Sequence, residues 1–531
     1  MLHSESRQGG TQDHRSLINS SLIRVLFAAL PFAFAACFGG GTQEDVEPDS
    51  TQLFALNAPS AHECLEQILF SAKDSLQADH MASDYYRSGG EWLWAEKPQM
   101  VAQGDSVVHY LRRHVEPMGF APEAFFLNEL EADIERLDSL RFDSLNTQDL
   151  VMARTELNLT RAYLRYVRGQ RYGFMNPNYV LNHLDLRDGQ PGNYRQTFDL
   201  SVEQPGTLFA KRSLSRVADR MAVSYLEGIE PRDTIYDRFL EALRHDSTPE
   251  GRRRLICNIE RRRWRTHEER NADGRYIFVN LPAQQLWAVS PDSVFSMRIC
   301  CGAWSTKTPI LQSAVSRIDI NPEWIIPGSI VRNDISRRAG DSAYFARNRY
   351  FITNRQTGDT IDPRHITQAQ LLSGQFRVAQ HSGRGNSLGR IIFRFPNQHA
   401  VYLHDTNNRG AFEADRRTIS HGCIRVQRPF DLALFLLPDA DEWLLDRIRL
   451  SIDLPPESDQ GKEYLKKRTE EGDTSPIRLI QSTSVTPRVP VYISYYTVYP
   501  NPETGHLDVW KDRYEYDKQI LKSLHPYLTG Q

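Results

Sequence analysis

The chain has 531 residues, of which 40% are hydrophobic, 10% aromatic and 25% charged, with six cysteines. That length calls for two or three folded units, and the composition excludes a disordered, collagen-like or disulfide-scaffold protein. Lys and Arg number 64 against 67 Asp and Glu, a formal charge of −3, so no chain-wide basic field points to nucleic acid.

The first informative segment is Val25–Ala36 (VLFAALPFAFAA), the one run apolar enough to meet a membrane. It is too short to span, contains a proline and follows Arg7, Arg15 and Arg24, which is the pattern of a secretory signal over residues 1–36. Cys37 comes directly after it and resembles the cysteine of a bacterial lipobox, with Phe34 where Leu is usual. On that resemblance a signal peptidase cuts before Cys37 and the cysteine is diacylated; the alternative is an ordinary signal cut near Ala36. Either way the mature chain works outside the cytoplasm, in the periplasmic cell envelope, and the lipobox reading makes it a membrane-anchored lipoprotein. Residues 37–60, rich in Gly, Thr, Gln and acidic side chains, read as a flexible tether.

Residues 61–255 read as a helical scaffold domain. Helices are expected over Ala61–Leu76, over Ser106–Val115 with Asp105 as N-cap, and from Pro122 to about Leu140. The longest is expected over Gln148–Arg168, where Leu150, Leu157 and Leu164 recur every seven residues with Ala153, Thr160 and Val167 beside them, giving one buried stripe. Asn158-Leu159-Thr160 matches a glycosylation sequon by chance, since it falls mid-helix. The basic run at 252–265 (RRRLICNIERRRWR) reads as a solvated helix face with Leu255, Ile256 and Ile259 buried, because Glu260, Glu268 and Glu269 dilute the charge.

Past Gly274 the texture turns to short β-rich runs: Tyr276–Leu281, Leu286–Val289, Val294–Cys300 and Val315–Ile320, then Ile391–Phe395, Ala400–His404 and Val489–Tyr499. A polar stretch over 328–374 interrupts them and is too long for a plain loop, so an inserted functional segment is expected within a domain spanning 256–531.

The chemistry concentrates in residues 401–426, VYLHDTNNRGAFEADRRTISHGCIRV. Cys423 can act as a nucleophile if an imidazole within hydrogen-bond reach holds its proton, and His404 and His421 are both at hand. Gly422 removes a side chain beside the nucleophile, and backbone N–H groups around Cys423 can form an oxyanion hole. Papain-like proteases have the opposite Cys–His order, and one Cys with two His lacks a fourth placed ligand, so neither a metal nor a cofactor is called for. Taken alone, His-Gly-Cys is as compatible with a buried structural cysteine.

His404, a gap, then Ser420-His421-Gly422-Cys423-Ile424-Arg425 resembles the signature of L,D-transpeptidase catalytic domains of the YkuD type. Further marks resemble the large, YcbB-like branch: Asn258-Ile259-Glu260-Arg261, Val279-Asn280-Leu281-Pro282, Asn321-Pro322-Glu323-Trp324, Ser387-Leu388-Gly389-Arg390, Phe395-Pro396-Asn397, Val401-Tyr402-Leu403-His404-Asp405-Thr406 and Tyr495-Tyr496-Thr497. One departure is that no peptidoglycan-binding module pattern (L-Q…G-L-x-x-D-G) occurs between 170 and 255. The resemblance implies an α+β protein: a helical scaffold packed on a mainly-β catalytic domain whose insertion is a lid. It implies that Cys423 attacks the L,D-amide of a peptidoglycan tetrapeptide stem, releases D-Ala and passes the acyl group to the side-chain amine of a second stem, a 3→3 cross-link. His404 maps to the base; Ser420, His421, Gly422, Arg425 and Tyr402 are substrate or oxyanion candidates. Donor and acceptor stems are the expected partners, with the membrane through Cys37. Hydrolysis of the same thioester by water is a second reading, and a non-catalytic wall-binding lipoprotein a third. Asp405 should point away from His404 and is not assigned as an orienting acid. Cys64, Cys257, Cys300 and Cys301 read as core residues whose pairing the sequence leaves open, and adjacent Cys300 and Cys301 are not expected to bond to each other.

Overall fold

A computed structural model describes residues 58–529, apart from Lys73, Ser75, Lys97, Pro98, Val101, Asp188 and residues 267–273. The signal segment and Cys37 lie outside the described residues. From Ala58 onward the first half is helical: α1 (Ala58–Ser71), α2 (Gln77–Arg87), α3 (Ala102–Val115), α4 (Leu127–Ser139), α5 (Gln148–Tyr172), α6 (Phe209–Ala218), α7 (Ala222–Ile229), α8 (Thr234–His245) and α9 (Pro249–Arg263).

Local chemistry shifts several expected boundaries. Asp105 does not cap α3 but sits within its first turn. Pro122 opens a short 3-10 turn, and Phe126 in the left-handed region (φ 56°) separates that turn from α4. α5 starts as the sequence suggests, with the Thr147 hydroxyl accepting the Leu150 N–H at 3.4 Å. Its burial differs from the expected stripe. Val151, Met152, Leu159, Tyr163 and Tyr166 are buried along with Leu157 and Leu164, because α1, α2, α3, α4 and α7 pack around it. A helix buried on nearly every side is the axis of a bundle, not one of its staves. Asn158 and Thr160 of the sequon are buried there too.

The largest correction concerns the basic run on α9. Leu255, Ile256 and Ile259 are buried as expected, but so are Arg261 and Arg263, and Glu260 is fully buried. Arg263 pairs with Glu260 at 3.1 Å while its guanidinium lies 4.9 Å from the Phe174 ring centre. Glu260 also accepts the Met175 N–H (3.1 Å) and the Trp264 indole N–H (3.2 Å). Arg261 pairs with Asp517 at 2.6 Å, and Asn258 bonds Thr497 twice, through Oδ1 (3.1 Å) and Nδ2 (2.8 Å). α9 is therefore the polar seam that joins the helical half to the β half, inside one continuous apolar core. Removing one member leaves the other charge buried and unpaired, which costs about 3–5 kcal/mol. Arg263→Met should therefore lower the midpoint of denaturant unfolding with both halves unfolding together; an unchanged midpoint would contradict a structural role for the pair.

The β half contains β1 (Tyr276–Asn280), β2 (Gln285–Val289), β3 (Val294–Gly302), β4 (Ile310–Ile320), β5 (Trp324–Ile325), β6 (Tyr350–Asn354), β7 (Thr360–Ile361), β8 (Phe376–Gln380), β9 (Ile391–Arg394), β10 (Leu403–His404), β11 (Thr418–Ser420), β12 (Ile424–Val426) and β13 (Ser482–Ser494). The large sheet runs β9-β10-β12-β3-β2-β1-β13-β4, and β4 pairs again with β9, closing it into a barrel. Closure removes the exposed edges that an open sheet must protect. Leu403, Ile424, Phe393 and Ile299 point into the core, so their neighbours along each strand point outward.

Residues 328–374 fall within a longer excursion of the chain between β4 and β9. β5 to β8 form a separate antiparallel sheet ordered β7-β6-β8-β5. Ile326, Ile330, Ile335, Phe345, Ile352, Leu371 and Val378 build a second core apart from the main one. Its bounding strands, Trp324–Ile325 and Phe376–Gln380, lie outside the expected limits. The excursion leaves β4 and returns at β9, its two partners in the barrel, with the Asn321 N–H donating to the Arg390 carbonyl at 2.8 Å across the neck.

Candidate active site

Three strands build the site by register alone. Antiparallel β9 and β10 place Ile392 opposite His404 and Phe393 opposite Leu403; parallel β10 and β12 place Leu403 beside Ile424 and His404 beside Arg425. Continuing one residue sets Tyr402 beside Cys423. With Leu403 and Ile424 in the core, Tyr402, His404, Cys423 and Arg425 share the outward face, so His404 and Cys423 are diagonal neighbours on adjacent strands.

Cys423 is half-buried at the end of a sharp turn. Gly422 adopts φ 120°, which no other residue adopts cheaply. An added Cβ would meet only the Thr306 carbonyl at 3.9 Å, so within the protein it is the backbone conformation that requires glycine here. The Ser420 hydroxyl donates to the Cys423 carbonyl (2.6 Å) and accepts the Gly422 N–H (3.2 Å). Thr308 donates to the Gly422 carbonyl at 2.8 Å, and Thr306 and the Ala303 N–H both hold the Ser420 carbonyl at 2.8 Å. The Ile424 N–H goes to the Tyr402 carbonyl. Among the described residues the Cys423 N–H has no hydrogen-bond partner.

The sulfur itself faces Tyr402 and the turn before it. Its S–H is directed at the Ala400 carbonyl at 3.7 Å, and Tyr402 lies beside it across the β10–β12 register. The expected strand Ala400–His404 begins only at Leu403, because Ala400 is left-handed (φ 53°). Asn397 holds that turn: its Oδ1 accepts the His399 and Val401 N–H groups at 3.0 Å and its Nδ2 donates to Phe395 and Val401 carbonyls. Asn397 was visible in the Phe395-Pro396-Asn397 mark, but its part in aiming the Ala400 carbonyl was not. Burial pushes the Cys423 thiol up, and Tyr402, Arg394 and Arg425 oppose the rise.

His404 is buried, and burial with the nearby Arg425 charge lowers its pKa to about 4, so the imidazole is neutral at neutral pH. Its Nδ1 lies 2.5 Å from the Asp405 carbonyl. Among the described residues no hydrogen bond joins His404 to Cys423. The Asp405 carboxylate instead accepts the Arg390 N–H at 2.8 Å, and Gly389 leaves room for it, since an added Cβ would come within 2.3 Å. That contact fastens the exit of the insertion to the strand carrying His404. His421 is exposed and makes no hydrogen bond among the described residues; the Gly422 turn breaks the extended geometry that would set it on the same face as Cys423. Arg425 is half-buried beside His404, with its Nε buried and without a hydrogen-bond partner. Cys64, Cys257, Cys300 and Cys301 are free thiols, the last three buried. Among the described residues no three His, Cys, Asp or Glu side chains gather as for a metal ion, and no helix is long and apolar enough to cross a membrane.

Residues 274–450 match the L,D-transpeptidase catalytic domain (YkuD), and residues 79–243 match the Scaffold domain. A protein of Haemophilus influenzae (strain KW20/Rd), called "Putative L,D-transpeptidase", is 28% identical over 326 residues, 60% of this chain and 60% of that protein. The chain thus spans about 60% of the length of the curated relative it matches. A solved structure of Mycobacterium tuberculosis L,D-transpeptidase 1 aligns over 31% of this chain and 55% of that one, at 13% identity and a TM-score of 0.14, too low to carry any argument. The site just described falls wholly within the segment that matches the YkuD L,D-transpeptidase catalytic domain, and a segment that matches the Scaffold domain precedes it.

Proposed function

We propose that the protein is a peptidoglycan L,D-transpeptidase with Cys423 as nucleophile and His404 as base. The observation that carries this reading is the shared outward face of Tyr402, His404, Cys423 and Arg425 within the matched catalytic segment. The resting pair is neutral: a thiol raised by burial beside an imidazole lowered by burial. Attack therefore needs the proton taken as the S–C bond forms, which is general-base catalysis and not a stored thiolate–imidazolium pair. With Nδ1–H on the Asp405 carbonyl, the other ring nitrogen of the neutral His404 carries the lone pair that receives that proton. The free Cys423 N–H is the donor for the oxyanion. As the tetrahedral intermediate collapses, the proton passes from His404 to the departing D-Ala amine, leaving the stem acyl group on sulfur. The amine of an acceptor stem then attacks the thioester, loses its proton to His404 and restores the thiol. The half-buried Arg425, whose Nε has no hydrogen-bond partner, is the candidate to hold a stem carboxylate.

Incubation with a disaccharide-tetrapeptide tests this. The expected products are free D-Ala and a dimer lighter than two tetrapeptide monomers by one D-Ala. Tripeptide alone would establish hydrolysis of the thioester in place of cross-linking, and no D-Ala release would leave a wall-binding protein. We also propose that Cys37 is lipidated and anchors the chain in the envelope, where two acyl chains retain a protein firmly. Cys37→Ala should leave the membrane fraction; fractionation like wild type would refute the anchor.

A further inference from the structure

The row of outward side chains that ends at Cys423 begins with charges to which the reaction above gives no part. Register sets Arg317 opposite Arg394 across β4 and β9, and one residue past the β9–β10 pairs it sets Arg394 beside Tyr402, which adjoins Cys423. Like charges directly opposite on neighbouring strands repel. Asp319 resolves the conflict, accepting from Arg317 Nε at 2.8 Å and pairing with Arg394 through its Nε. The carboxylate is 14% exposed and Arg394 40%, so the pair is partly shielded from water. Thus held, the Arg394 guanidinium carbon lies 5.4 Å from the centre of the Tyr402 ring, within cation–π range. Tyr402 in turn is set beside Cys423 by the β10–β12 register, and burial first and the thiol's charge second raise the phenol's pKa.

We infer that Arg394, pinned by Asp319, is a positioning residue for the nucleophile: it fixes the Tyr402 ring and so keeps the phenol hydroxyl at the Cys423 sulfur. The inference rests on the reading of Cys423 as nucleophile and adds a determinant of its reactivity. Tyr402 carries the donor; Arg394 carries the geometry of that donor. The guanidinium charge also counts directly, since it works against the rise that burial imposes on the thiol. If Arg394 merely tied β9 to β4, its loss would lower stability without moving the chemistry of the sulfur.

The test is the rate of Cys423 alkylation by iodoacetamide in the full chain across pH, located by peptide mass spectrometry. Arg394→Gln should slow alkylation at neutral pH by about threefold to tenfold and move the profile alkaline by about half to one pH unit. Asp319→Asn, which frees Arg394, should move it the same way by less. Arg394→Lys keeps charge without the planar stack, so its profile should fall between wild type and Arg394→Gln. In a Tyr402→Phe background, Arg394→Gln should have less than half its effect in wild type. An unshifted profile, or equal effects with and without the Tyr402 hydroxyl, overturns the inference. Should Arg394→Gln not fold, Asp319→Asn and Arg394→Lys decide on the same criteria. Muropeptide turnover is scored separately: a wild type that shifts with Arg394 yet turns over nothing refutes the proposed function alone, and one that turns over with no shift refutes this inference alone.

Discussion

Exposed to a carbapenem, the wild-type chain should gain one drug equivalent of intact mass, and Cys423→Ser should gain none. A strained lactam carbonyl resembles the donor amide at the instant of attack, and the site offers it a half-buried sulfur beside Tyr402 and an open Cys423 N–H. Buried Cys257, Cys300 and Cys301 are shielded from such a reagent, and Cys64, half-buried on α1, has a thiol pushed up by burial and by Asp149 and Glu63. Specificity for one sulfur is thus expected from exposure and surroundings. An adduct that persisted in Cys423→Ser would remove the cysteine from its assigned role.

His404→Ala should slow acylation by about a hundredfold or more, as loss of a general base does, whereas His421→Ala should keep measurable acylation with weakened turnover. The structure sharpens the contrast. His404 is buried and neutral on the face of the nucleophile, while His421 stands in solvent beyond the Gly422 turn. The lowered His404 pKa also fixes the pH dependence. The base form persists down to about pH 4, so kcat/KM should fall on the acid side near 4 and not near 6.5. Stability follows the same shift. The unfolded imidazole takes a proton near pH 6.5 and the folded one only near 4, so the contribution from keeping it neutral is full above 6.5. It drains away as pH falls toward 4, by about 3 kcal/mol in all. His404→Gln should flatten that part of the stability curve, which denaturant titrations at pH 7 and pH 4.5 would read. A normal acylation rate in His404→Ala beside a dead His421→Ala would exchange the two roles.

Much of this site was legible before any coordinates. The apolar runs at Tyr276, Leu286, Val294 and Ile391 became barrel strands close to their expected bounds, because alternation along a half-buried strand is a local signal. His404 and Cys423 stood out as a pair by resemblance, and register sets them as diagonal neighbours on adjacent strands. Other features depend on which distant groups come together, and spacing does not carry that. The arginines of α9 looked solvated because a run of charge usually is; only the fold brings Asp517 to Arg261 and the Phe174 ring to Arg263. Gly422 stood out as the missing side chain beside the nucleophile, and its φ of 120°, which spacing does not carry, is a second demand for glycine. Asn397 and Gly389 stood inside quoted marks with no visible duty, since a left-handed Ala400 and a close-packed Asp405 are properties of folded turns. The insertion was underestimated at both ends because Trp324–Ile325 and Phe376–Gln380 are short strands that pair only with each other and their neighbours in the second sheet.

The claim that most needs testing is that the stem acyl group rests on Cys423 between the two half-reactions. Wild-type chain should be mixed with a disaccharide-tetrapeptide donor whose side-chain amine is blocked, quenched in acid within a turnover, digested and mapped. The account predicts the disaccharide-tripeptide mass on the peptide holding Cys423, labile to hydroxylamine as a thioester is, with one D-Ala released per adduct. Release of D-Ala without any adduct on that peptide, or an adduct on another residue, would contradict it.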